Sequence, residues 1–126
     1  MIETLIEAGK FLITVFSDKK KLKKDRKQKL SSTLKTIGDL IHSVAVDLQN
    51  NNYPHGSCAA MEALSDTLIQ ELDEFLNDPQ KQILKEALRM TTHLEHMYAQ
   101  RNEPGYIDKI EQASGHFYAV SILTSF

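Results

Sequence analysis

The chain holds one cysteine, Cys58, and a histidine, His55, stands three positions before it. A thiol in the first turn of a helix feels the positive end of the macrodipole, which lowers its pKa, and a nearby imidazole can act as its base. This pair has the residue types of nucleophilic catalysis. It closes only if the turn folds His55 back toward Cys58, and no third residue stands by to orient the imidazole. A cysteine followed by Ala59, Ala60 and Met61 reads more simply as a small buried hydrophobe. On that reading Pro54, His55, Gly56 and Cys58 form a structural corner, with His55 bonded to the turn backbone.

His93 and His96 lie three apart and would share a helix face. Zinc needs at least a third ligand, and the glutamate-x-x-histidine pairs of di-iron bundles are missing, because Met90 precedes His93 at that spacing and His93 itself precedes His96. His42 and His116 fall on other segments and make no ligand pattern, so no metal or cofactor is expected. The repeat Lys81, Lys85, Arg89, His93 reads as a solvated stripe paired with acidic neighbours. Met61, Met90 and Met97 read as core filler.

The feature that points outside the molecule is electrostatic. Lys19, Lys20, Lys21, Lys23, Lys24, Arg26, Lys27 and Lys29 place eight of the fifteen basic residues within eleven positions. Immediately before them an apolar docking face is available in Leu5, Phe11, Leu12, Ile13, Val15 and Phe16. Residues 1–35 carry ten basic and four acidic side chains, a net +6, whereas residues 36–126 carry five and thirteen, a net −8. Such a division implies an anionic partner for the front of the chain or head-to-tail attraction between copies. An apolar segment with a polybasic tract supplies the two signals that weak membrane anchoring needs. Nucleic acid is disfavoured, since the tract lacks interleaved aromatics, has Arg26 as its lone arginine, and is attached to an acidic remainder.

The elements that must carry these residues are helices. Apolar residues recur at helical spacing almost throughout, and no stretch sustains the alternation of a half-buried strand. Leu30, Leu34, Ile37, Ile41, Val44 and Leu48 step by four and three as the seam of a packed helix. Further helices carry Met61, Leu64, Leu68, Leu72 and Phe75, then Ile83, Ala87, Met90, Leu94 and Met97, then Tyr106, Ile110, Ala113, Phe117 and Val120. Tyr53-Pro54-His55-Gly56 predicts a type I turn with Ser57 capping the next helix; Asp78 would cap the following one with Pro79 at its first position, and Pro104-Gly105 marks the last turn. The prediction is an all-α, up-down antiparallel four-helix bundle in residues 30–126, preceded by an apolar N-terminal helix in 1–17 and a basic segment in 18–29, all within a single domain. A break near Ser17-Asp18 is expected between that first helix and the next; the alternative is one helix from Met1 to Lys29, acidic first and basic last as the dipole favours, broken at Ser31-Ser32-Thr33.

The run Ile37-Gly38, Leu40 to Leu48 and Tyr53-Pro54-His55-Gly56-Ser57-Cys58-Ala59-Ala60-Met61-Glu62 resembles a helical-hairpin module of uncharacterised bacterial proteins, with proline-histidine-glycine-x-cysteine at its corner. It covers about a quarter of the chain, implies a helical bundle and brings no activity with it. More loosely, the arrangement is similar to the helical bundles of cell-death and defence proteins, which combine an apolar front segment with basic residues and act on membranes.

Together these features lead to a non-enzymatic interaction module whose N-terminal helix docks on a protein partner, on a second copy or on its own bundle. The alternative is a membrane-associating bundle that uses the apolar segment and the lysines. One cysteine and no secretory signal pattern fit the cytoplasm, with peripheral membrane attachment in the alternative reading.

Overall fold

A computed structural model describes residues 2–17 and 23–126. The described residues form six α-helices and contain no strand: α1 (Ile2–Ser17), α2 (Lys24–Gln49), α3 (His55–Glu71), α4 (Asp78–Leu88), α5 (Leu94–Gln100) and α6 (Tyr106–Ser125), with a 3-10 turn at Met90–His93. Each long helix forms because its apolar residues fall on one stripe that another helix covers. In α2 every member of the Leu30 to Leu48 seam is buried, and in α6 so are Tyr106, Ile110, Ala113, Phe117 and Val120. α1 ends at Ser17 and buries Ile2, Leu5, Leu12 and Phe16.

Three boundaries differ from the sequence expectation. α3 begins at His55, not after a Ser57 cap, because Pro54 takes the N-cap position and its carbonyl accepts the Cys58 amide at 3.1 Å. The reversal is instead made by Asn51, whose φ of 61° is left-handed backbone that asparagine tolerates. At α4 the cap is Asn77 rather than Asp78. Its side chain accepts the Gln80 amide while the Gln80 side chain accepts the Asn77 amide, both at 2.9 Å, a reciprocal capping box. The third helix does not run unbroken to residue 100. Thr92 donates its hydroxyl to the Arg89 carbonyl at 3.0 Å and Thr91 donates to Glu62, so the chain tightens into the 3-10 turn before α5.

Helix neighbours close a circuit: α2 packs on α6, α6 on α1, α1 on α4, α4 on α3 and α3 on α2. α2 and α6 run antiparallel, as their cross-links require. Ser31 donates to the Ser121 carbonyl at 2.8 Å and Ser121 returns a bond to the Ser31 carbonyl at 2.9 Å, while farther along Ser114 donates to the Gly38 carbonyl at 2.8 Å. Two glycines set how near the helices come. A Cβ added at Gly38 would lie 2.9 Å from the Tyr118 ring, and one added at Gly9 of α1 would lie 2.6 Å from the His116 Cβ.

The neighbours at the two sites differ in what can yield. Tyr118 is half-buried and can swing its ring, whereas the His116 Cβ is fixed to the α6 backbone. Gly9→Ala should therefore destabilise by about 1–3 kcal/mol despite the better helix propensity of alanine, and Gly38→Ala by less. Urea titration of both variants checks the order; equal or greater stability of Gly9→Ala would contradict the α1–α6 packing.

Candidate functional site

The 53–58 corner is built for packing. Cys58 is fully buried, and burial, helped by the carboxylates of Asp47 and Glu62, pushes its thiol up to about 12, the opposite of an activated nucleophile. His55 does not fold back onto it. Its ring stacks on Tyr53 with centroids 5.5 Å apart, and Tyr53 stacks on Tyr98 at 4.1 Å and 5° between planes. The Arg101 guanidinium covers the far face of this column, 3.8 Å from the Tyr98 centroid, and its Nε donates to Asn51 Oδ1 at 3.0 Å. The column thus fastens α5 and the turn after it to the α2–α3 reversal. Pro54 is buried beneath it and Gly56 is exposed.

The remaining histidines are dispersed. His93 lies in the 3-10 turn and His96 in α5, while His42 pairs with Glu111 across α2 and α6 at 2.8 Å. His116 sits against Gly9, and desolvation by α1, with Lys10 nearby, lowers its pKa. Among the described residues no three His, Cys, Asp or Glu side chains are grouped to hold a metal ion. Of the basic stripe on α4, Lys81 pairs with Asp73 at 2.6 Å.

The apolar residues of α1 separate by face. Leu5, Leu12 and Phe16 lie in the core, and Phe11, Ile13 and Val15 are half-buried against it. The docking face proper is therefore covered by α4 and α6 of the same chain.

At the basic end Lys19, Lys20 and Lys21 lie outside the described residues; Lys23, Lys24, Arg26, Lys27 and Lys29 are placed and divide between two neighbours. Arg26 turns toward α3, where it forms an ion pair with Glu74, bonds the Glu71 carbonyl at 3.4 Å and stands 5.7 Å above the Phe75 ring, itself packed on Phe16 at 5.3 Å. Lys29 faces the same side. With Arg26, Leu30, Thr67, Gln70 and Glu71 it lines a cleft of about 260 Å³. Glu71 is poorly suited to an anionic occupant there: Thr33 donates to one oxygen at 3.1 Å, the other is buried without a partner, and burial raises its pKa.

Lys27 turns the other way and donates to the main-chain oxygen of Phe126 at the end of α6. Lys23 and Lys24 are exposed, and no acidic side chain among the described residues is placed in an ion pair with either. At the end of α6 Ile122, Leu123 and Phe126 are exposed, Phe126 at 80%. Comparison with known proteins adds nothing to this geometry. No family model, curated protein or solved structure matches the chain.

The α6 tip is the contact feature that periodicity alone missed. Ile122, Leu123 and Phe126 lie past the Tyr106 to Val120 seam that the spacing picks out, and only the α2 pairing places them beside the basic end. The cross-link from Lys27 to Phe126 then joins two halves of one surface that are 99 positions apart in the chain. A cation patch and an apolar tip meet there.

The thiol result fixes a pH dependence. Cys58, ordinarily near 9.0, and Tyr106, ordinarily near 10.0, are both held up to about 12 by burial, so folding favours their neutral forms. Their contribution is complete below about pH 9 and is lost as pH rises toward 12, because the unfolded chain ionises first. Melting temperature should fall across that window, and fall less in Cys58→Ala; native Cys58 should react with a disulfide reagent far more slowly than the denatured chain. A native thiol that reacts as fast as a free one would contradict the buried corner.

Proposed function

We propose that the chain is a non-enzymatic interaction domain, an up-down antiparallel bundle closed by α1, whose contact surface is the end where α2 begins and α6 finishes. The observation that carries this reading is the bond from Lys27 to Phe126, which brings the start of α2, with Lys23 and Lys24 exposed, to the end of α6, where Ile122, Leu123 and Phe126 are exposed. Elsewhere the residue types that do chemistry are engaged within the fold: Cys58 in the core, His55 in a ring stack, His42 in a hydrogen bond with Glu111.

The magnitudes favour this end over a released α1. Lifting α1 away would leave wet the apolar side chains of α4 and α6 that it covers, at roughly 1.5–3 kcal/mol for each large one. A lysine near an anionic surface supplies only about 1 kcal/mol. Release is the costlier route, and the exposed α6 tip needs none.

A second reading keeps the N-terminal helix as the docking element through its outer face. Ile6, Glu7, Lys10, Phe11 and Thr14 line an open groove of about 550 Å³ there, mostly apolar, which suits a partner helix or a second copy.

Fractionation of cells expressing the protein separates the two. The reading predicts that part of the protein sediments with membranes or large complexes, that Ile122→Ser/Phe126→Ser moves it to the supernatant, and that Phe11→Ser does not. Relocation by Phe11→Ser alone would transfer the contact surface to α1. A wild-type protein found only in the supernatant as a monomer would remove the interaction reading.

A further inference from the structure

Resting on that reading, we propose that the partner of the α2–α6 end is an anionic lipid surface, with Lys24 and Lys27 at the headgroups and Ile122 and Phe126 entering the acyl boundary. The placement follows from the helix pairing. Ser31 lies across from Ser121 and Lys27 across from Phe126, so Lys24 stands one turn beyond the end of α6 and Ile122 one turn before it, about 10 Å apart along the helix axes at the same end of the pair. Along the solvent stripe of α6, Gly115 and Ala119 precede Ile122 and Phe126, which concentrates the apolar bulk at the tip. Ile122 is 58% exposed and Phe126 80%.

Residues 119–126 contain no charged side chain, and Asp25 is the only acid among residues 23–30. The end therefore presents an apolar tip without charged side chains, beside lysines of α2. That combination is the two-part requirement for reversible attachment to an anionic leaflet, neither part sufficing alone.

A folded protein partner fits less well. Stable protein interfaces bury roughly 800 Å² on each side with matched shape, and aromatic or aliphatic side chains contribute at most about 150–250 Å² apiece. Three such side chains on a convex helix end fall short of that area. A fluid apolar layer beneath a diffuse negative charge needs no matched shape, and lysines, as mobile point charges, suit it better than the planar fork of arginine. Arg26, the one arginine of the tract, is turned to the α3 side and paired there.

Co-sedimentation of the full chain with vesicles tests this, using phosphatidylcholine alone and an equal mixture with phosphatidylserine. Binding to the mixed vesicles is expected, with little to the neutral ones, and it should weaken in about 0.5 M salt, where the screening length shrinks to a few ångströms. Lys24→Gln/Lys27→Gln should weaken it about 30-fold, near fivefold for each lysine. Ile122→Ser/Phe126→Ser should weaken it at least about tenfold at low salt. Lys24, Ile122 and Phe126 are exposed, so Ile122→Ser/Phe126→Ser should melt with the wild type. Lys27 is half-buried and bonded to Phe126, so Lys24→Gln alone, which should weaken binding about fivefold without a change in melting, separates charge from stability. Phe11→Ser should bind as wild type does. Absence of binding to the mixed vesicles, or undiminished binding by both double variants, overturns the lipid assignment. If vesicles fail while Ile122→Ser/Phe126→Ser still shifts the cellular fraction, the lipid partner is wrong and the contact surface stands; if neither responds, both fall.

Discussion

α6 meets α1 at Gly9 and α2 at Gly38, at separations where a methyl group would collide with His116 or Tyr118. This double close approach sets the arrangement of everything else. With α6 drawn against both helices, α1 becomes a full member of the circuit and its apolar stripe is closed off, while α2 is aligned so that its serines and Ser121 can exchange main-chain bonds. The alignment also fixes which ends coincide. Because the two helices are antiparallel and in this register, the cationic start of α2 arrives beside the end of α6, where residues 119–126 have no charged side chain.

That coincidence gives the charge asymmetry of the sequence a geometric meaning. The basic tract opens α2 with no side-chain cap at Lys23, against the preference of the helix dipole for negative charge at that end. Part of the conflict is relieved within the fold, where Arg26 reaches Glu74 and the Phe75 ring. Lys23 and Lys24 are left for solvent, or for anions outside the molecule. An external anionic surface of the kind proposed would offset the dipole as well as the charge.

How much of this could be read from the sequence depends on whether the determinant is local. The seams of α2 and α6 were legible residue by residue, because a repeat of three and four needs only a window of a few turns, whereas the expected break after Ser17 falls on residues 18–22, outside the described residues. The interruption at Arg89 was not. Its cause is two threonine hydroxyls, one bound to a carbonyl in its own chain turn and one to Glu62 on α3, and apolar spacing runs through it undisturbed. The His55, Tyr53, Tyr98 and Arg101 column was also invisible, since its members come from two places about 45 residues apart and aromatic stacking leaves no periodic trace. The candidate site was half legible: the lysines stand out in any charge count, whereas the apolar side chains beside them are recognisable only once the register of α6 on α2 is known.

The functional argument turns on whether the apolar face of α1 is committed to its own bundle, and native-state hydrogen exchange of the full chain measures that directly. The account predicts that the amides of Leu5 to Phe16 exchange with protection comparable to those of the α2 seam and α6, because their opening requires breaking the same packed circuit. Exchange of that segment at the rate of a frayed helix, with α2 and α6 still protected, would show α1 free of the bundle and contradict the account.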